Sequence, residues 1–320
     1  MTDTPAGVLL MTYGSPTDAA DVPRYLAAVR GGRPADEELT REFTRRYEVI
    51  GGSPLIPITR DQAAALELAL GGDALVRAAM RFSEPSIRAA LRELADAGVR
   101  EVAAIILSPQ YSPLLMGGYA RDVEAAREAM GPGAPVVRIA GAWHLEPDFI
   151  EALAGRVRDG LAAFPADERD SVPVLMTAHS LPRRVAESEP DYLDQLRATA
   201  EAVAERAGVA PDRWTFCWQS AGHEPGEWMK PDFADLMPEL ADRGHRSVLV
   251  APIQFLADHL EILYDVEIGA REQAEEHGLA FNRIRSLNTE PRFIEALAAV
   301  ARTALAAREP ARERASVQQS

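Results

Sequence analysis

Cysteine is nearly absent: Cys217 stands alone among 320 residues, which removes whole classes of chemistry. The chain can form no internal disulfide framework, and it cannot by itself hold a cysteine-ligated iron–sulfur cluster. Within the apolar run Trp214-Thr215-Phe216-Cys217-Trp218, that thiol reads as a small buried core residue. Positive charge is also scarce, with 34 Lys and Arg against 49 Asp and Glu, a net charge of −15. Nucleic-acid binding and polybasic membrane anchoring both need a basic footprint, so neither fits, whereas attraction of cations does. Long apolar runs are missing too. None approaches the roughly 18 residues of a membrane span, and Met1-Thr2-Asp3-Thr4 lacks the basic start of a secretory leader. The expectation is a soluble, cytoplasmic protein.

Several familiar catalytic signatures are also lacking. No G-x-G-x-x-G follows a strand-like run, which argues against a nicotinamide or flavin dinucleotide site, and no P-loop occurs. Ser180 lacks the G-x-S-x-G elbow of the α/β hydrolases. Gly31-Gly32 and Gly51-Gly52 are loops and carry little by themselves.

What is present is a 47% hydrophobic chain, enough for a large core, arranged as alternating strands and helices. Strand-like runs are Val8 to Tyr13, Val102 to Leu107, Val136 to Ala140, Val174 to Thr177, Thr215 to Trp218 and Val248 to Ile253. Helical patterns between them cover Gln62 to Leu70, Ile87 to Ala97 and Leu193 to Ala207. This alternation spells βαβ units and a mainly parallel α/β fold. An internal echo supports two similar halves: Glu146-Pro147-Asp148-Phe149-Ile150-Glu151-Ala152-Leu153-Ala154 returns as Glu290-Pro291-Arg292-Phe293-Ile294-Glu295-Ala296-Leu297-Ala298. Glu-Pro is also a helix-start signal, because proline suits the first helical turn. The expected organisation is an N-terminal half over 1–142, a C-terminal half over 143–307 and a frayed tail over 308–320, with the last helix packing across the junction.

In open α/β sheets, chemistry gathers beyond the carboxyl ends of the strands. His179 sits at such an end, after Val172-Pro173-Val174-Leu175-Met176. A second strand end, after Val248 to Ile253, leads into Asp258-His259-Leu260-Glu261-Ile262-Leu263-Tyr264-Asp265. One imidazole and a group of carboxylates at neighbouring strand ends suggest proton and cation handling together. A structural histidine beside a solvated acidic helix start is the competing reading. On an ideal helix Asp265 shares the face of Glu261, while His259 faces away and Glu267 points elsewhere.

Five stretches, in this order, resemble the ferrochelatase family over nearly the whole chain. They are Leu10-Met11-Thr12-Tyr13-Gly14-Ser15-Pro16, Tyr47-Glu48-Val49-Ile50-Gly51-Gly52-Ser53-Pro54-Leu55, Ala178-His179-Ser180-Leu181-Pro182, Trp218-Gln219-Ser220-Ala221-Gly222 and Asp258-His259-Leu260-Glu261. The resemblance implies a class II chelatase-like fold: two Rossmann-like parallel-sheet halves with a porphyrin cleft between them. It implies insertion of Fe²⁺ into a porphyrin with release of two protons, in haem b biosynthesis. The fourth stretch and the run from Ala257 to Asp265 look most like the soluble bacterial branch, whose substrate is coproporphyrin III and whose product is coprohaem. The alternatives are protoporphyrin IX as substrate, a cobalt or nickel chelatase on sirohydrochlorin-like rings, or a non-catalytic porphyrin or haem carrier.

The same resemblance assigns residues. His179 matches the proton-accepting imidazole, and a histidine's ordinary pKa of about 6.5 suits that exchange. Glu261 matches the partner carboxylate, and His179, Glu261 and Asp265 form the expected iron path. Imidazole and carboxylate hold Fe²⁺ only weakly to moderately, as a delivery route requires. Tyr13 matches the residue facing the metal across the macrocycle; Arg30, Arg46, Ser53 and Tyr119 match propionate-binding positions. Leu114-Leu115-Met116 would form an apolar lip. Two departures stand out. Gly269 occupies the position of a third acidic group, and one residue is missing before Ser53. No organic cofactor is implied, iron is a substrate, and a loosely held Mg²⁺ near Glu261 and Asp265 is allowed. The expected state is a monomer that hands its product to the next haem-pathway enzyme.

Overall fold

The computed structural model describes residues 5–72, 74–221 and 226–307. The expectations placed on Gly222 and on the 308–320 tail lie outside the described residues. The apolar runs become two four-stranded parallel sheets. The first has the order β2-β1-β3-β4, from β1 (Ala6–Thr12), β2 (Ala74–Met80), β3 (Glu101–Ile106) and β4 (Val136–Ile139). The second repeats that order as β6-β5-β7-β8, from β5 (Val174–His179), β6 (Trp214–Gln219), β7 (Ser247–Pro252) and β8 (Ala280–Arg283). Val8, Leu9, Leu10 and Met11 in β1 and Val174 and Met176 in β5 are fully buried, as strands covered by helices on both faces must be. Cys217 is a buried residue of β6, and its surroundings push the thiol pKa up by desolvation.

In this strand order the chain reverses direction across the sheet between β1 and β3, and again between β5 and β7. Such switch points open a crevice at the carboxyl ends. The helices that close the faces are α1 (Val22–Val29), α2 (Glu37–Val49), α3 (Leu55–Ala69), α4 (Ile87–Asp96), α5 (Pro113–Met130), α6 (Pro147–Ala162), α7 (Arg183–Ser188), α8 (Pro190–Ala207), α9 (Phe233–Asp242), α10 (Arg271–Glu276) and α11 (Pro291–Ala306). A π-helix, Glu261–Ala270, runs directly into α10. Among the described residues no helix is long and apolar enough to cross a membrane.

The repeated Glu-Pro segment is a capping device used twice. Glu146 accepts the Phe149 N–H at 2.8 Å, and Glu290 accepts the Phe293 N–H at 2.9 Å, each with proline at the helix start. The two helices then pack on different sheets. α6, which follows the first sheet, packs on α8 and β7 of the second; α11, which follows the second sheet, packs on α3 and β3 of the first. They also meet each other, where Phe149 and Phe293 flank Trp143 with ring centroids 5.2 and 6.4 Å away. Both phenylalanines are fully buried, and each contributes roughly 1.5–3 kcal/mol by burial. One apolar cluster therefore runs from Val8 and Leu10 through Phe149 and Phe293 to Leu249. This seam fixes the two strand-end crevices against each other.

Gly14 shapes the turn after β1. Its φ is +90°, and a Cβ there would lie 2.7 Å from Ser83 Oγ, so backbone conformation and contact both demand glycine. Gly14→Ala is expected to destabilise the protein by about 1–3 kcal/mol, read as a lowered urea midpoint.

Candidate functional site

The two crevices merge into one cavity of about 420 Å³. Thr12 to Ser15 and Ile106 to Ser108 enter it from the ends of β1 and β3; His179, Leu181 and Gln254 to Ala257 enter from the ends of β5 and β7. Leu115, Met116 and Tyr119 of α5 form another wall, and His259, Leu260 and Glu261 lead into the π-helix. Leu115 and Met116 supply the expected apolar lip, while Leu114 is 56% exposed.

His179 is the last residue of β5. Its Nδ1 lies 2.6 Å from the Ser180 carbonyl oxygen, which can only accept, so the ring's proton sits on Nδ1. Nε2 of the neutral ring is then a lone pair. The backbone is held as firmly: the His179 N–H donates to Gln254 Oε1 at 2.8 Å and the Ser180 N–H donates to the Gln219 carbonyl at 2.7 Å. Phe255 meets the His179 ring edge-on at 6.3 Å and the His259 ring at 4.7 Å, separating the two imidazoles.

His259 corrects the helical-face expectation. It precedes the π-helix rather than lying on it, and its Nε2 stands 3.1 Å from Glu261 Oε2. Its Nδ1 lies 2.9 Å from the Ala257 carbonyl oxygen, so Nδ1 carries a proton. A close contact between Nε2 and a carboxylate oxygen then requires one more proton, on either the imidazole or the carboxyl. The contact sets an imidazole nitrogen at hydrogen-bonding distance from a carboxylate oxygen beside the cavity.

The helix after Glu261 is the second local departure. Its i→i+5 bonding widens the turn, a form that is rare and frequent at functional sites. Asp265 does not line the cavity: its carboxyl hydrogen-bonds Ser220, and Arg46 Nη1 lies 3.7 Å away. Ser220 takes the left-handed conformation, φ 57°, which non-glycine residues adopt only when held there. Glu267 is engaged elsewhere, with Arg271 and Arg283 at 2.5 Å each. At Gly269 a Cβ would meet only the Tyr264 carbonyl, at 3.7 Å, so packing does not exclude a side chain there. Among the described residues no three His, Cys, Asp or Glu converge as a metal cage.

Burial raises the Asp265 pKa, and Glu261 adds to it, against the opposing pull of Ser220, Arg46 and His179. A carboxyl raised in the folded state favours folding most below the unfolded pKa, and that advantage is lost as pH rises through the folded value. Asp265→Asn is therefore expected to raise the thermal midpoint at pH 7, with the gain over wild type shrinking as pH falls. Paired melts at pH 7.5 and 5.0 check this.

The expected substrate-binding residues divide. Tyr13, Ser53 and Tyr119 line the cavity. Tyr13 is braced edge-on by Phe82 at 4.7 Å; burial raises its phenol pKa and Arg81 partly offsets this. Tyr119 is buried, with the Arg81 guanidinium 5.6 Å from its ring, and desolvation pushes its phenol up, keeping it a neutral donor. Arg81 also binds Asp122 at 2.9 Å and lies against Gly118, where any Cβ would fall 2.0 Å from the guanidinium. Arg30 and Arg46 stand outside the cavity wall. Arg30 is exposed at the end of α1; Arg46 faces Glu42 at 2.9 Å and Asp265 at 3.7 Å.

Sequence reasoning missed Tyr25, Gln62, Gln254 and His259 as cavity residues, and used Tyr47 only as part of a motif. Gln62 belongs to a brace across the halves: its Nε2 donates to the Asn288 carbonyl at 2.8 Å, and Asn288 in turn binds Asp258 at 2.9 Å. For Gln254 the available signal was its position just after a buried strand.

Two equivalent parallel sheets, with a cavity where their switch points face each other, define a class II chelatase architecture. Solved structures share that fold at low identity. The sirohydrochlorin chelatase SirB from Bacillus subtilis subspecies spizizenii, in complex with cobalt, superposes with a TM-score of 0.56 at 12% identity, covering 94% of this chain and 95% of that one. The chain belongs to the ferrochelatase family, whose model matches residues 5–305. A ferrochelatase of Deinococcus radiodurans is 42% identical over 300 residues, covering 92% of this chain and 95% of the relative. A coproporphyrin III ferrochelatase of Geobacillus kaustophilus is 37% identical over 302 residues, covering 92% and 94%. Membership makes it a metal-chelating lyase that places ferrous iron in a porphyrin for haem biosynthesis.

Proposed function

We propose that this chain inserts Fe²⁺ into coproporphyrin III, with His179 as the proton acceptor and Glu261 as the inner iron-guiding carboxylate. One observation carries the reading: an imidazole with Nδ1 locked to a carbonyl shares a cavity with the close His259–Glu261 pair. Metal insertion removes two pyrrole protons and needs an iron ion delivered to the bared nitrogens. The His179 Nε2 lone pair takes one proton. The second leaves by solvent or through the His259–Glu261 pair, which exchanges it as iron arrives. The overall change is porphyrin with two N–H groups plus Fe²⁺, giving iron porphyrin plus two H⁺.

Iron approaches past Asp265 and Glu261, whose carboxylates bind Fe²⁺ weakly enough to release it. With glycine at 269, the acidic field continues through Asp232, a partly buried carboxylate that interacts with Asp265. An Mg²⁺ held near Glu261 and Asp265 would compete with Arg46 for the same carboxylate. Ser53 and Tyr119 offer neutral donors to propionates inside the cleft, and Arg30 and Arg46 offer cationic ones at its rim. The sequence resemblance and the Geobacillus relative favour coproporphyrin III over protoporphyrin IX. Coprohaem would then pass to the next haem-pathway enzyme from a cytoplasmic monomer.

Anaerobic Fe²⁺ insertion into coproporphyrin III and protoporphyrin IX, measured side by side, tests this. Turnover of coproporphyrin III at least about tenfold above the other ring, a difference of roughly 1.4 kcal/mol, is the expected result. Preference for protoporphyrin IX overturns the substrate, and porphyrin binding without insertion of any divalent metal leaves a carrier.

A further inference from the structure

We propose that Gln254, braced by Tyr192, is a positioning residue that holds His179 in its proton-accepting geometry. The inference rests on the role of His179 given above and extends it to two residues outside the motif positions.

The need arises from how the sheet ends. The β5–β7 pairing stops at Thr177↔Pro252, and Ile253 N–H gives the last ladder bond to the Thr177 carbonyl at 3.0 Å. On the opposite edge Ser180 N–H bonds the Gln219 carbonyl in β6. Alternation along a strand therefore turns the His179 N–H toward β7, where the chain has already left the sheet. That N–H, at the one residue whose ring must be placed accurately, would otherwise be an unmet donor in a partly buried site. Gln254 Oε1 accepts it at 2.8 Å, continuing the ladder by one bond with a side chain instead of the backbone.

A glutamine amide can rotate, so the acceptor is only as fixed as its other end. Gln254 Nε2 donates to the Tyr192 hydroxyl. Tyr192 on α8 is 2% exposed and packed in an apolar cluster with Ala178, Leu196 and Trp218. The amide orientation is thereby settled: NH₂ to the phenol, oxygen to the His179 backbone. Since the ring's own anchor is the neighbouring Ser180 carbonyl, tilting the 179–180 backbone would move the Nε2 lone pair. A misplacement of about 1 Å is enough to cost about a hundredfold in rate. Phe255, next in sequence, meets both imidazoles, so Gln254 also sets where that divider stands.

Three variants and two readouts test the clamp. Gln254→Met keeps the length and removes both hydrogen bonds; it is expected to lower kcat about tenfold while the KM values for porphyrin and Fe²⁺ stay within about twofold. Gln254→Glu keeps an acceptor for the His179 N–H. It is expected to recover most of the lost kcat, with the acid limb of the pH–rate profile moved upward by the added negative charge. Tyr192→Phe should fall between them. The second readout is ¹⁵N NMR of histidine-labelled protein without substrate. His179 is expected as a single Nδ1–H tautomer in the wild type and Gln254→Glu, and as exchanging tautomers in Gln254→Met. A Gln254→Met protein with kcat within twofold of wild type and unchanged His179 signals overturns the proposal. So does a loss that Gln254→Glu does not recover. If the wild type inserts no metal but the NMR contrast appears, the clamp stands and the assigned reaction is what fails.

Discussion

His179→Ala is expected to lower the rate of iron insertion about a thousandfold, within the range that general acid–base catalysis supplies. Coproporphyrin III should still bind, with its dissociation constant within about threefold, because the proposed propionate donors Ser53 and Tyr119 lie elsewhere on the cavity wall. This separation of binding from turnover is the diagnostic feature. Only the lone pair on Nε2 is chemically in play, since Nδ1 is committed to the Ser180 carbonyl. Stopped-flow absorbance under anaerobic conditions, following the free-base spectrum as it converts to that of the iron product, gives the rate directly. A variant that still turns over at a tenth of the wild-type rate would mean that His179 is a structural histidine at a strand end.

The second large effect is expected at Glu261. Glu261→Gln preserves shape and leaves a hydrogen bond to His259, yet it removes the anionic oxygen and with it the proposed proton exchange. kcat/KM for Fe²⁺ is expected to fall about a hundredfold or more, with porphyrin affinity nearly unchanged. The loss should persist across the pH range, because an amide replaces the carboxylate in every protonation state. Steady-state rates against Fe²⁺ concentration from pH 6 to 9 check this. Near-wild-type values would identify Glu261 as a solvated carboxylate at a helix start.

Much of the architecture was legible because it depends on periodicity and composition. The six apolar runs correspond to β1, β3, β4, β5, β6 and β7, with ends shifted by one or two residues. Two strands were overlooked, β2 and β8, and both are sheet-edge strands. Edge strands are not covered on every side, so Arg77 interrupts β2, and β8 reads only Ala-Phe-Asn-Arg. The Glu-Pro echo was visible as a repeat. The last helix was expected to pack across the junction, and α11 does so on α3 and β3, while α6 packs on α8 and β7 of its own half; where the two helices meet depends on which faces come together in space.

The sequence by itself carried the family resemblance in five ordered motifs, while its composition and spacing suggested proton and cation handling without deciding it. Excess negative charge, one buried cysteine, no nucleotide loop, and an imidazole and an acidic stretch at two strand ends all follow from residue identity and order. Tertiary structure decided how these groups are used. A helix drawn at 3.6 residues per turn turns His259 away from Glu261, but the chain reaches the site before that helix begins and continues as a π-helix. Arg46, a propionate-binding candidate by position, lies toward Asp265 because the far end of α2 meets the π-helix there. Gln254 and Tyr192 lie 62 positions apart and become one clamp only when β7 stops short of β5. Local pattern fixes which face of an element is apolar. It does not fix where a strand ends against its neighbour, and at this site the placement of His179, the proposed proton acceptor, depends on that ending.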